Sequence, residues 1–331
     1  MKAIVYEKYG PPDVLQLKEV DKPILKDNEA LVSVHATSLN AADLETLRGD
    51  LVVRITAPLK PIYKILGSDI AGRIEAVGRN VKHFQPGDEI WGDLSYPHNY
   101  GAFAEYVSVP ESALRLKPTS MTFEEAAAIP TAAIVALQNL LAKRPVQPGQ
   151  KVMINGAGGG VGTFAVQIAK SYGAEVTGVD STEKLDMLLS IGAHHIIDYT
   201  REDFTKNGLH YDLILDVAVQ RSICDYKRAL SPNGICVMVG GSMTRVFPNI
   251  LLGALISKAA SKKIGLGAWK PNKKEDLDFL TKLFEAGKLK PVVDRFYSLS
   301  EVPEAFRYLE AGHALGKIVI TVKRNDKSRN I

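Results

Sequence analysis

The stretch Lys151-Val152-Met153-Ile154-Asn155-Gly156-Ala157-Gly158-Gly159-Gly160-Val161-Gly162 decides the fold. Five strand-forming residues run straight into a glycine-rich turn. Val161–Tyr172 then reads as a helix, with Phe164, Ile168 and Tyr172 at helical spacing. Within the turn, Ala157, Gly159 and Gly162 occupy the three small-residue places of G-x-G-x-x-G. The first places permit a tight turn, Gly159 lets backbone approach a pyrophosphate, and Gly162 lets the helix pack on the strand. Gly158, Gly160 and Val161 complete a helix N-terminus whose unpaired N–H groups suit phosphate. A glycine loop alone is a weak signal. Here it has a strand before it, a helix after it and an acid, Asp180, 18 residues beyond Gly162. Together they point to a nicotinamide dinucleotide.

Asp180 bears on which dinucleotide. A carboxylate ending the second strand can accept from a ribose 2′-OH and repels a 2′-phosphate, which favours NAD(H). Ser181, Thr182 and Lys184 follow at once and could hold that phosphate instead, although Lys184 also reads as a solvated residue at a helix start.

Around the turn the pattern alternates strand and helix. Strands are expected at 151–155, 175–179, 195–198, 213–216, 235–239 and 264–267, and helices at 161–172, 184–190, 222–230 and 249–258. Such alternation gives a doubly wound parallel sheet, the Rossmann α/β arrangement, with ligands at the strands' C-terminal edge. Gly240-Gly241, ending the fifth strand, falls on that edge. Residues before about 125 instead show short apolar runs (30–36, 70–77, 88–91, 101–109) split by turns such as Gln85-Pro86-Gly87, a β-rich pattern. Thr122 and Glu125 form a capping box for an Ala-rich helix reaching Pro130, and a second helix runs over 132–141. Further helices are expected at 274–286 and 302–311. The final apolar strand, 317–322, resembles the N-terminal region, so the chain returns to its first domain. The expected domains are 1–125 with 292–331, and 126–291 between them.

The bulk numbers exclude several classes. The chain has 331 residues, 46% hydrophobic and 24% charged, with a formal net charge of +4 spread along it. No basic stripe suggests nucleic acid, and no apolar run is long enough to span a bilayer. The start, MKAIVYEKYG, lacks the apolar run of a signal peptide, and only two cysteines occur, Cys224 and Cys236. A soluble cytoplasmic protein is expected.

An ordered series of motifs extends the reading. Ser38-Leu39-Asn40-Ala41-Ala42-Asp43, Gly67-Ser68-Asp69-Ile70-Ala71-Gly72, Gln85-Pro86-Gly87-Asp88 and Gly101-Ala102-Phe103-Ala104-Glu105-Tyr106 come first. Ala126–Thr131, the glycine turn, Ile197-Asp198-Tyr199 and Gly316-Lys317-Ile318-Val319 follow. In these the chain resembles the medium-chain dehydrogenase/reductase superfamily, in particular its zinc-free quinone oxidoreductase branch. The resemblance implies a GroES-like β-rich catalytic domain built from both chain ends and a Rossmann domain between, with a homo-oligomer, a dimer, as the expected assembly.

The resemblance also frames the chemistry. Zinc-dependent relatives carry a cysteine near Asn40 and Gly-His-Glu where Gly67-Ser68-Asp69 stands, and no cysteine precedes Cys224 here. His35, Asp43 and Asp69 could gather around a metal, but a strand histidine and capping or turn acids explain them more simply. Without zinc to stabilise an alkoxide, the site suits small apolar electrophiles, namely quinones or α,β-unsaturated carbonyls. Asn40 is expected near nicotinamide and substrate, polarising a carbonyl or holding the carboxamide, or else as an Asx-turn. Thr131 is expected beside the nicotinamide, or as an N-cap. Tyr199 is expected at the adenine, or as an ordinary strand-end residue, and Lys317 either reaches the cofactor or is an exposed strand-start residue. Some relatives carry a tyrosine a few residues after the asparagine, where Glu45 stands here. Two apolar stretches with interspersed bases, Leu51–Leu66 and Leu251–Lys263, are expected to line a substrate entrance or to serve packing. Two other functions remain open on sequence: a cofactor-binding structural or redox-sensing protein with little turnover, and an alcohol or aldehyde dehydrogenase of the same superfamily.

Overall fold

The computed structural model describes residues 1–95, 101–141, 144–240 and 262–323. Gly241 and nearly all of the Leu251–Lys263 stretch, with the helix expected at 249–258, lie outside them. The chain forms two compact units, one from Met1–Thr131, Pro271–Leu277 and Val293–Ile331, the other from Ala132–Lys270 and Asp278–Val292.

In the first unit, β1 (Lys2–Val5) and β2 (Gln16–Glu19) pair antiparallel. A seven-stranded sheet is organised around β3 (Glu29–Ser38). Next come β4 (Asp69–Val77), β5 (Glu89–Asp93), β6 (Tyr106–Pro110) and β7 (Leu114–Leu116). β3 pairs antiparallel with β4 and β6, and β5 carries the sheet on to β7. The run 101–109 is a strand only in its second half. Gly101 turns at φ 114°, and the N–H groups of Ala102 and Phe103 go instead to the carbonyls of Gly67 and Leu66.

The second unit is a six-stranded, wholly parallel sheet. Its strands are β8 (Lys151–Asn155), β9 (Glu175–Asp180), β10 (His195–Asp198), β11 (Tyr211–Asp216), β12 (Leu230–Met238) and β13 (Lys263–Leu266). The spatial order β10-β9-β8-β11-β12-β13 reverses direction between β8 and β11, the doubly wound arrangement whose crevice opens at that reversal. The helix after the glycine turn spans Gly160–Ser171 and packs on β8 and β9. Every residue from Gly162 to Ala169 is buried, so its middle is enclosed all round rather than on one face.

The chain's end then completes the first sheet. β14 (Val293–Ser298) lies parallel to β15 (Lys317–Thr321), and β15 runs antiparallel to β3 with Val319 opposite Ser38. The helix Val302–Glu310 buries Val302, Ala305 and Phe306, and Phe306 meets Phe103 edge-on at 5.8 Å. That contact joins both chain ends in one core with Ile4, Leu47, Ile318 and Ile320. No helix among the described residues is long and apolar enough to cross a membrane.

Candidate active site and dinucleotide cradle

Sheet register builds the first cluster. Asp69 pairs with Asp93 across β4 and β5. The antiparallel register of β3 on β4 carries Ser38 to Asp69, and Ser38 Oγ donates to Asp69 Oδ2 at 2.6 Å. From the other side, β15 brings Lys317 alongside Leu39 and Asn40. Strands β5, β4 and, across β3, β15 thus supply Asp93, Asp69 and Lys317 to one cluster beside Asn40, the N-cap of the helix Ala41–Arg48.

All of these groups are buried. Lys317 is 2% exposed and Asp69 fully enclosed. The ammonium donates to Leu39 O at 3.0 Å, Asn40 Oδ1 at 2.6 Å and Asp69 Oδ2 at 3.2 Å. Those three bonds use its three hydrogens, so Lys317 is neither an exposed strand-start residue nor supplied with a spare donor for a cofactor. Asn40 is committed in the same way. Its Nδ2 donates to Asp69 Oδ2 at 2.9 Å and Ser68 Oγ at 3.1 Å, which leaves no amide hydrogen to polarise a carbonyl. Its backbone N–H goes to Asp43 Oδ2 at 2.9 Å, confirming Asp43 as a capping acid. Burial pushes the Asp43 carboxyl up to about 7. Asp69 is not a turn acid: it opens β4 and lies at the centre of the network.

Thr131 is the second residue of the helix Pro130–Leu141, not its N-cap. N–H groups of a first turn have no partner within the helix, and this one bonds Asp69 Oδ1 at 2.8 Å. The Thr131 hydroxyl donates to Asp93 Oδ2 at 3.0 Å and lies 3.5 Å from Ser68 Oγ. Asp93 and its supports Ser95 and Asn272 escaped sequence reasoning, which ended the strand at Trp91. The available signal was an acid inside the apolar run Ile90–Leu94. His35 stacks on Phe123 at 4.2 Å, and no group of three or more His, Cys, Asp or Glu is assembled among the described residues in a way that could hold a metal.

The second cluster lies at the C-terminal edge of the parallel sheet. Gly156 turns the chain at φ 77°, a conformation that side chains resist. A Cβ on Gly162 would stand 2.2 Å from Gly156 O, so only glycine lets the helix approach the turn this closely. Gly159 caps the helix, and Gly160 and Val161 begin it. Asp180 is buried and turned inward: Oδ2 accepts from Gly158 N–H at 2.7 Å and Oδ1 from Ser181 N–H at 2.9 Å. Lys184 is also buried, not solvated, with Nζ 3.7 Å from Asp180 Oδ1. Tyr199 is half exposed and donates its N–H to Asp180 O at 3.2 Å, and Gly240 follows β12 close to Val217 O.

Across the reversal point, Asn155 Nδ2 donates to Asp216 Oδ1 at 3.0 Å and Tyr226 Oη to Asp216 Oδ2 at 2.6 Å. Burial raises the Asp216 and Tyr226 pKa values. This trio, also missed from sequence, fixes the loop whose Ala218 packs against Gly156. A 12-residue helix thus presents its N-terminus behind a turn in which Gly156 and Gly162 exclude side chains, an arrangement that could hold a phosphate-bearing group.

Comparison with known proteins assigns the family. A family profile described as alcohol dehydrogenase GroES-like domain matches residues 26–119, and one described as zinc-binding dehydrogenase matches 191–320. The chain is 35% identical to the 2-methylene-furan-3-one reductase of Solanum lycopersicum, over 97% of this chain and 79% of that protein. This chain belongs to the quinone oxidoreductase branch of the medium-chain dehydrogenase/reductase superfamily. It is 33% identical to the chloroplastic NADPH-dependent alkenal/one oxidoreductase of Arabidopsis thaliana, over the same shares of the two chains. Among solved structures, the quinone oxidoreductase from Coxiella burnetii superposes with a TM-score of 0.87 at 30% identity, covering 98% of this chain and 99% of that one.

Proposed function

We propose that this protein is a zinc-independent oxidoreductase that uses NADPH to reduce quinones or α,β-unsaturated carbonyls. One observation carries the reading: where zinc-dependent relatives hold their metal ligands, Asn40, Ser68 and Asp69 are bonded to each other and to the buried Lys317 ammonium. The donor set is hydroxyl, amide and a neutralised carboxylate, without thiolate or imidazole, which suits a hydrogen-bond network better than zinc. Acceptors that are already electrophilic need no metal to stabilise an alkoxide.

Gly158 to Gly162 would take the pyrophosphate at the helix N-terminus, with Ser181, Lys184, Tyr199 and Gly240 flanking the nucleotide. The bound nicotinamide supplies a hydride. Asp180 no longer argues for NAD(H): its oxygens are engaged by the turn and faced by Lys184, so its repulsion of a 2′-phosphate is reduced. The relative named as NADPH-dependent points the same way. Asn40 and Lys317 act as positioning residues, and Thr131 presents the one partly exposed hydroxyl of the first cluster to the reaction.

The acceptor's apolar part has a surface to meet. A cavity of about 380 Å³ beside the helix Leu51–Thr56 is lined by Tyr6, Tyr9, Val52, Val53, Pro61 and Ile62, with Leu51, Ile55 and Leu59 exposed nearby. A homodimer in a reducing compartment such as the cytoplasm completes the reading, consistent with the free thiols Cys224 and Cys236. The test is oxidation of NADPH and NADH by purified protein against quinones, enones, aldehydes and alcohols, with and without a chelator. Chelator-resistant turnover of enones or quinones is expected. Chelator-sensitive alcohol oxidation, or tight cofactor binding without any turnover, overturns the proposal.

A further inference from the structure

Reducing an enone or quinone requires a proton as well as a hydride, and the buried carboxyl of Asp93 is arranged to deliver one. Its two oxygens have different surroundings. Oδ1 accepts from Ser95 N–H at 2.8 Å and from Ser95 Oγ, while Oδ2 faces only the Thr131 hydroxyl, at 3.0 Å, among the hydrogen bonds of the described residues. A proton on Asp93 therefore resides on Oδ2 and points at Thr131. Asn272 clamps the backbone on both sides, accepting from Asp93 N–H at 3.1 Å and donating to Asp93 O at 2.5 Å. Thr131 is held in turn by its N–H bond to Asp69 and, unlike Asp93, is partly exposed.

We infer that Asp93 and Thr131 form a proton relay, Asp93 passing its proton to Thr131 Oγ1 while Thr131 hands its own to the oxygen of the acceptor being reduced. This rests on the function proposed above. The balance is one O–H bond broken and one formed at Thr131, one O–H bond formed on the acceptor, and one lost at Asp93. Asp93 is left as the carboxylate and regains a proton from solvent, and the hydride supplies the electron pair. In the resting carboxylate state the Thr131 hydroxyl donates to Asp93; once Asp93 carries the proton, that bond reverses and the threonine proton is released to the acceptor.

The surrounding charges suit this use. Asp69 on the adjacent strand pairs with Lys317, Asp43 lies beyond Asn40, and Arg115 bonds the Asn272 carbonyl at 3.1 Å. Burial, with Asp69 next in effect, pushes Asp93 up to about 7, in the range where a group both holds and releases a proton at neutral pH. Glu45, where some relatives carry a tyrosine, is the rival donor; its pKa is also raised by burial and by Asp50.

The experiment combines kinetics with infrared spectroscopy of the cofactor-free protein. The parent should show protonated-carboxyl absorption that titrates near neutrality, of which Asp93→Asn removes one component, distinct from the component that Asp43→Asn removes. Thr131→Val should lower kcat/KM for enones by about 100-fold, with kcat carrying the loss, while Thr131→Ser restores it. The alkaline limb of the parent pH profile should vanish in Asp93→Asn and persist in Glu45→Gln. If Thr131→Val keeps the parent's rate and profile, or if only Glu45→Gln removes the limb, the relay is wrong although the reductase reading stands. A parent without turnover on any acceptor overturns both.

Discussion

The Gly158 N–H donates to Asp180 Oδ2 at 2.7 Å, so the carboxylate that sequence spacing offers to a ribose hydroxyl is folded back onto the glycine turn. A side chain at Gly158 would collide with Lys184, whose Cδ stands 2.7 Å and Cβ 2.9 Å from the site of a Cβ, and would meet Asp180 Oδ2 at 3.1 Å. Asp180 and Lys184 thus behave as one buried support for the turn. Asp180→Ala is expected to weaken NADH and NADPH together, by about tenfold each for one lost charge-assisted hydrogen bond, without reversing preference. Titration calorimetry with both cofactors checks this. A gain in NADPH affinity alone would restore Asp180 to the role of a selectivity residue.

Two glycines in the turn should respond very differently to alanine. At Gly162 the new methyl would stand 2.2 Å from Gly156 O and 2.6 Å from Ala157 backbone, atoms that cannot move without moving the strand end. At Gly159 the nearest atom is 3.5 Å away, an ordinary contact. Gly162→Ala is expected to cost about 1–3 kcal/mol and most of the cofactor affinity, whereas Gly159→Ala keeps stability and loses affinity only if the phosphate needs that space. Thermal unfolding with and without cofactor separates the two outcomes.

Lys317 and Asp69 are both enclosed, so removing the cation strands a buried charge. Lys317→Met should destabilise by about 3–5 kcal/mol, and Lys317→Met with Asp69→Asn should recover part of it. Denaturant unfolding of both variants measures this. If the single variant unfolds like the parent, the pair is not the ionic centre of the network.

Much of this molecule was legible in the amino-acid order, for identifiable reasons. Strand Lys151–Asn155, its glycine turn and the helix after it are local patterns: each residue's neighbours in sequence are its neighbours in space. The first cluster is different. Asp93 meets Asp69 through strand register and Thr131 through a helix start, and Lys317 reaches Asn40 across 277 positions of chain. Asn40 and Thr131 could be named because the family resemblance marks them. Their bonding partners could not, since nothing local distinguishes a buried carboxylate in a strand from an exposed one. Asp180 shows the converse limit, for its position was readable while its orientation depended on the backbone of Gly158.

The buried acids also give stability a pH dependence of predictable sign. Burial raises Asp43 and Asp93 to about 7, above the value near 3.8 of an unhindered aspartate. Between those two values the folded protein binds protons that the unfolded chain does not, so stability decreases as pH rises through that window. Both groups therefore favour the folded state most fully at the acid end and withdraw that contribution as pH passes about 7. Asp43→Asn keeps an oxygen for the Asn40 N–H and removes the titration. It should raise Tm above the parent at alkaline pH, by about 2–4 °C for each kcal/mol recovered, and by much less in acid. Melting curves of parent and variant across that window provide the check. A difference between them that is independent of pH would mean that Asp43 keeps the same protonation state in folded and unfolded chains.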